Sequence, residues 1–294
     1  MNNVMKCGLS TLGCCLLALL LGGVPVRSQA DSTAPDTSTL AHIKDSSTLN
    51  VGFRENPPFS YTDGSGKITG YTITLCNLIA KNISGQLGLK KLAIHYVPVS
   101  FAERVTYLNS RKIDIDCSVN ADAPERASSV TFSKDYFIAR MRIIALRQNN
   151  IMTLKALKGK TVSIPASSKD LLEMNRINRE QKLNISFIST INLQSAFDRM
   201  AQNHTSAMIL DDILAWPLIK QAARPDDFTV SHETFGPDMK YALMIKKDEP
   251  TFVSLVNHSL EGILNSPTNS ELSKRWLTAW TPHQPAAIKP AHGQ

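Results

Sequence analysis

Cysteine, glycine and aromatic residues are all scarce in this chain. Its 294 residues include 5 Cys, 14 Gly and only 6% aromatics. So few cysteines exclude a small scaffold held by dense disulfides. So few glycines, beside 15 prolines, exclude a collagen-like or low-complexity chain. Long apolar stretches are nearly missing as well, which excludes a multi-span membrane protein. Sequence motifs for hydrolases, nucleotide binding and zinc are also missing: GxSxG, a Walker loop, GxGxxG and HExxH do not occur, and the histidines are scattered without metal-ligand spacing. No metal and no cofactor is therefore expected.

The first 30 residues lack Asp and Glu altogether. Lys6 precedes the apolar run Cys14–Leu21, Gly22, Gly23 and Pro25 break it, and Ser28-Gln29-Ala30 places small residues at a cleavage site. The run is too short for a membrane helix, and the pattern predicts a secretory signal peptide over 1–30. Its removal takes Lys6 and Arg27, leaving 30 basic against 25 acidic residues. That moderate excess has no basic run, so nucleic acid is not an expected partner, whereas small anions suit it. Two cysteines then remain, Cys76 and Cys117. In an oxidising compartment they form either one disulfide or two buried thiols.

What is present along the rest of the chain is alternation. A polar, Ser/Thr-rich leader is expected over 31–44 and a flexible tail over 282–294. Between them, short apolar runs read as strands at 49–53, 92–98, 113–117, 142–147, 161–164, 185–188, 206–210 and 241–245, and Phe59–Thr62 and Lys67–Gly70 flank an Asp63-Gly64-Ser65-Gly66 turn. Amphipathic stretches read as helices at 71–84, 100–109, 169–182, 193–202, 212–223, 250–265 and 270–280. Strands separated by helices predict an α/β fold whose ligands bind at the carboxyl ends of strands.

Polar residues cluster at those ends. Arg54 follows the first strand, Arg104 opens a helix, and Arg126 lies in a loop after Cys117. Ser167 and Ser168 precede a helix, where free N–H groups favour a carboxylate. Asp211 ends a strand and could hold an ammonium, while only one of the doublet Asp211–Asp212 is expected to enter a cleft, since neighbours point apart. Arginine pairs carboxylates in a bidentate fork. The set suits an acidic amino acid, or else consists of ordinary surface ion pairs.

The order and spacing of several segments go further. Val51–Tyr61 (VGFRENPPFSY), Gly70–Ile73 (GYTI), Pro124-Glu125-Arg126 with Phe132-Ser133, Leu157–Val162 (LKGKTV), Glu180–Asn184 (EQKLN), Leu210-Asp211-Asp212 and Lys246–Phe252 (KKDEPTF) resemble the polar amino-acid solute-binding proteins of bacterial ABC importers. The likeness is greatest to their glutamate/aspartate-binding branch and spans about residues 48–280. It implies a periplasmic, monomeric protein of the type II periplasmic-binding-protein fold, with two mixed sheets flanked by helices, that closes like a hinge on glutamate, aspartate or a related dicarboxylate and delivers it to an ABC permease. Lobe one would comprise 45–141 plus 244–281 and lobe two 142–243, hinged near Arg140–Arg142 and Tyr241–Leu243. By the resemblance, Arg126 would hold the ligand α-carboxylate and Asp211 the α-ammonium. Ser167 or Ser168 would assist, and Arg54 and Arg104 would grip a side-chain carboxylate.

Four positions depart from that branch. Val119 and Ala121 stand where it carries small hydroxyl residues, Phe101 replaces a serine and Leu193 a histidine, with Asp122 nearby. These five are the expected specificity positions. Two alternatives follow: an enzyme on the same fold, resembling cyclohexadienyl dehydratases, with Glu55, Glu173 or Asp122 as its acid, or a scaffold or sensor protein without a ligand.

Overall fold

The computed structural model describes residues 38–280. The expected signal peptide and tail lie outside the described residues. The leader expected over 31–44 is described only from Ser38, and there it is not loose. Ser38 caps helix α1 (Thr39–Ser46) by accepting from the Ala41 N–H. The Thr39 N–H donates to the buried Glu249 carboxylate at 3.0 Å, and Ile43 is fully buried. Ile43, with Leu40 partly buried against the same core, docks the helix, whose cap and first donor are both satisfied.

Next along the chain come β1 (Thr48–Phe53), β2 (Tyr61–Thr62), β3 (Ile68–Thr69), α2 (Tyr71–Gln86), β4 (Ala93–Pro98), α3 (Arg104–Asn109) and β5 (Ile115–Asp116). A long strand β6 (Val130–Leu146) leads to β7 (Thr161–Pro165), α4 (Lys169–Glu180), β8 (Ser186–Thr190), α5 (Leu193–Ala201) and β9 (Ala207–Asp211). The chain closes with α6 (Asp212–Gln221), β10 (Phe228–Val230), β11 (Phe235–Lys246), α7 (Pro250–Leu264) and α8 (Pro267–Trp276). The expected helix at 100–109 starts later, at Arg104, yet its capping box forms one turn earlier. There the Ser100 and Glu103 side chains each accept the other's backbone N–H at 3.2 Å.

Among the described residues the main sheet has nine strands, in the order β4-β1-β5-β11-β6-β9-β7-β8 with β10 against β6. One wing, β4-β1-β5, is parallel, and so is the other, β9-β7-β8. The antiparallel strands β6 and β11 join the wings into one path. The sequence predicts only the last third of β6, because Ser133, Lys134 and Asp135 interrupt its apolar pattern. They are tolerated because the β6–β11 ladder is irregular, with register shifts around Met239–Met244. β2 and β3 pair antiparallel on either side of the expected Asp63–Gly66 turn, whereas β10 is too short to carry a period of its own.

Two features tie the first wing down. Cys76 of α2 and Cys117, just past β5, form a disulfide with their Cα atoms 6.5 Å apart. It anchors the segment Ser118–Asn120 that follows. An aromatic cluster lies under the junction of the wings: the Phe59 ring is 5.1 Å from Phe137, 5.4 Å from Tyr241 and 6.0 Å from Tyr71. Gly70 is required beside it. Its φ is +121°, and a Cβ there would lie 2.2 Å from the Phe59 carbonyl oxygen.

The bridged loop is about 41 residues long. Reduction, or Cys117→Ser, is expected to lower unfolding free energy by about 4 kcal/mol on the loop-entropy scale, read from urea unfolding with and without reductant.

Candidate functional site

The carboxyl ends of β1, β5, β7 and β9 all deliver polar residues to one cleft. Arg54 follows β1 and is buried. Its guanidinium pairs with Asp116 of β5 at 3.4 Å and donates to the Val119 carbonyl and to Asn120 Oδ1. Arg104, only 2% exposed at the start of α3, donates from one nitrogen to the same Asn120 Oδ1 at 3.1 Å and from the other to the Ser167 carbonyl at 3.0 Å. Arg126 ends a short 3₁₀ turn and donates to that carbonyl as well, at 2.8 Å. The Phe101 ring lies against two of the three, 4.5 Å from the Arg54 guanidinium carbon and 5.1 Å from that of Arg104.

Three guanidiniums are thus gathered with one carboxylate among them. Burial pulls the Arg104 pKa well down, and the charges of Arg54 and Arg126 pull the same way, against Asp116. Burial lowers Arg54 and Arg126 too. Arginine does not give up its proton in a protein, so the strain expresses itself as attraction for an anion.

The opposite wall comes from the second wing. Ser167 sits in the left-handed region, φ +56°, and presents its carbonyl rather than its hydroxyl to the arginines. Ser168 caps α4: its Oγ accepts from the Leu171 N–H at 3.1 Å and donates to the Pro165 carbonyl at 2.8 Å. That hydroxyl is already spent. Asp211, at the end of β9, is 3% exposed. Tyr241 donates to its Oδ2 at 2.5 Å, while Oδ1 is buried without a hydrogen-bond partner. Asp212 turns away, accepting from the Ile213 N–H at 2.8 Å and facing Arg142 at 3.8 Å. The doublet divides as its position at a strand end requires.

Between the walls lies a cavity of about 30 Å³ lined by Arg104, Arg126, Asp170, Asp211 and Tyr241. Phe101, Val119, Ala121 and Leu193 make much of its remaining surface apolar. Asp122 does not join the arginines. Its carbonyl accepts from the Lys169 ammonium, and its carboxylate acts on Asp135. The two other acids considered for catalysis are occupied elsewhere: Glu55 accepts from the Thr62 backbone and hydroxyl, and Glu173 pairs with Arg176 at 3.1 Å.

Sequence reasoning missed Asp116, Asn120, Lys169, Asp170 and Tyr241. Asn120 stands between Val119 and Ala121, whose hydrophobicity drew attention from it. Asp170 reads as an ordinary first-turn helix acid. Instead it is 6% exposed, and burial pushes its pKa up to about 7. Burial raises Asp211 well above the usual carboxylate range, and the neighbouring Asp170 charge adds to this.

Asn120→Ala leaves two buried guanidiniums short of an acceptor and is expected to cost about 1–3 kcal/mol of stability, measured by urea unfolding. A raised carboxyl pKa means that the folded state holds its proton more tightly than the unfolded state. The contribution of Asp170 to stability is therefore fully present below about pH 4 and is lost as pH rises toward about 7, its folded value. Asp170→Asn should flatten that decline in unfolding midpoints taken at pH 4, 5.5 and 7.

Residues 49–279 match the family of bacterial extracellular solute-binding proteins, family 3. The glutamate/aspartate import solute-binding protein of Escherichia coli K12 is 27% identical over 255 residues, covering 86% of this chain and 83% of that protein. The L-glutamate/L-aspartate-binding protein of Pseudomonas aeruginosa is 25% identical over 276 residues, covering 93% and 89%. Among solved structures, an ancestral amino acid-binding protein, a precursor of cyclohexadienyl dehydratase, superposes with a TM-score of 0.70. It is 25% identical, covering 82% of this chain and 100% of that one. The fold is that of the type II periplasmic binding proteins. The chain belongs to the bacterial extracellular solute-binding proteins, family 3.

Proposed function

We propose that this protein is the periplasmic substrate-binding component of an ABC importer and that it captures an acidic amino acid, glutamate or aspartate, without chemistry of its own. The observation that carries this reading is the convergence of Arg104 and Arg126 on one oxygen acceptor, the Ser167 carbonyl, in a cavity whose far wall holds the unpartnered Oδ1 of Asp211. A ligand carboxylate offers two such acceptors with a full charge and is the stronger partner. The α-ammonium then faces Asp211. Arg54 lies behind Arg104, held by Asp116 and Asn120, and adds its charge to the same end of the cleft.

The strand order supports closure of two lobes. Lobe one, about 45–141 plus 244–281, carries the arginines; lobe two, about 142–243, carries Ser167, Ser168 and Asp211. The crossings near Arg140–Arg142 and Tyr241–Leu243 lie beside Asp211, since Met141 is its strand partner and Tyr241 its hydrogen-bond donor. A ligand bonded to both lobes stabilises the closed form by its differential affinity for that form. A closed monomer is the form presented to the permease. The apolar Phe101, Val119, Ala121 and Leu193 give up side-chain hydrogen bonds that hydroxyls or an imidazole would make, so binding rests on charge and backbone groups.

The test is a thermal-shift and calorimetric titration of residues 31–294, refolded to strip carried-over ligand. L-Glutamate or L-aspartate at a hundredfold excess over Kd should add about 2.7 kcal/mol, a rise of roughly 2–4 °C for each kcal/mol. Arg126→Ala and Asp211→Ala should each weaken binding about tenfold or more. Unchanged affinity in both variants overturns the site assignment. Binding of neither amino acid overturns the ligand.

A further inference from the structure

Lys169 opens α4 on the second wing, yet its ammonium donates to the Asp122 carbonyl, on the segment that follows β5 of the first wing. The lysine is half-buried and lines the cavity between the two walls. Its acceptor is main chain and is itself held in place. The Asp122 N–H donates to the Lys240 carbonyl at 2.7 Å, and Ala121 bridges to Tyr241 of β11. Carboxylates from both sides face the ammonium. Burial raises the pKa values of Asp170, Asp211 and Asp135 of β6, and the Lys169 charge draws all three back down.

Helix stability does not account for a lysine at this position. The first turn is the positive end of the helix dipole, where a cation is disfavoured, and Ser168 already caps α4 through the Leu171 N–H. A lysine that serves only solubility keeps its ammonium in water. A counter-ion that serves only Asp170 and Asp211 needs no bond to the other wing. The bond also differs from the other contacts made across the cleft. Arg104 and Arg126 donate to the Ser167 carbonyl, and a ligand carboxylate competes for those guanidiniums, whereas neither partner of the Lys169 bond is a group assigned to the ligand. We infer that Lys169 is a positioning residue that latches the second lobe to the first, holding the cleft closed over its contents and slowing their release. This rests on the two-lobed solute-binding reading proposed above and deepens it. Because the latch touches no ligand atom, it stabilises the closed form equally for every ligand and sets residence time rather than selectivity.

The experiment compares wild type, Lys169→Met and Lys169→Arg, each as residues 31–294 refolded to strip carried-over ligand. Stopped-flow tryptophan fluorescence gives association and dissociation rates for L-glutamate and L-aspartate, and small-angle X-ray scattering gives the radius of gyration without ligand. Lys169→Met keeps the length of the side chain and removes its charge. It should release both amino acids about tenfold faster, with association changed by less than about twofold, and its ligand-free radius should exceed that of the wild type. Lys169→Arg keeps a charged donor and should restore both quantities. Should Lys169→Met fail to fold, Lys169→Gln, shorter and uncharged, takes its place. An unchanged dissociation rate overturns the latch. So does a loss confined to one of the two amino acids, which marks a ligand contact, or a lowered urea midpoint alone, which marks a counter-ion for Asp170 and Asp211. Where neither amino acid binds, the acidic ligand is overturned and the radius decides for the latch. A larger value in Lys169→Met, reversed in Lys169→Arg, supports it, and equal values overturn it.

Discussion

The pair of guanidiniums bonded to one Asn120 oxygen is the constraint on which the rest of this structure turns. Arg54 and Arg104 are buried and carry like charges, and their nitrogens both reach Asn120 Oδ1. Such an arrangement survives only where acceptors are already in place. Asp116 and the Val119 carbonyl supply them from the first wing, and the Ser167 carbonyl supplies one from the second. The segment after β5 must therefore be held firmly, and the Cys76–Cys117 disulfide begins that segment. The disulfide and the arginine cluster are two parts of one requirement.

Across the cleft the electrostatic logic is reversed. The second wing brings two carboxylates to the cavity wall, with Lys169 beside them donating to the Asp122 carbonyl. The cavity is therefore polarised, positive at the wall built on β1 and β5 and negative at the wall built on β9 and α4. The two walls meet over Tyr241, whose hydroxyl binds Asp211 and whose ring packs on Phe59 and Phe137. The strand that links the two wings thus also sets the orientation of Asp211.

Much of the fold was legible before the structure. The apolar periods at 49–53, 71–84, 161–164 and 193–202 correspond to β1, α2, β7 and α5 within a few residues, because each buries one face along its own length. The arginines and Asp211 were legible as candidates from their places at strand ends. Helix α1, the first part of β6 and β10 were not, since a single buried Ile43, an interrupted ladder or a three-residue strand leaves no repeat to detect. Asp170 was hidden for a different reason: at the start of a helix an acid is expected anyway, and only its burial sets it apart.

The amino-acid sequence by itself determined the α/β alternation, the excess of basic residues and a pair of cysteines with no other partner after residue 30. These are properties of neighbours along the chain, and the 2-residue and 3.6-residue periods report them. Only the tertiary structure decided which charged groups meet. Arg104 reaches the Ser167 carbonyl and Tyr241 reaches Asp211 across separations of 63 and 30 residues. Such contacts depend on strand order, and strand order is chosen by burial of whole sheet faces rather than by any local signal. The use of the Ser168 hydroxyl as a helix cap and the burial of Asp170 beside Asp211 follow from the same packing.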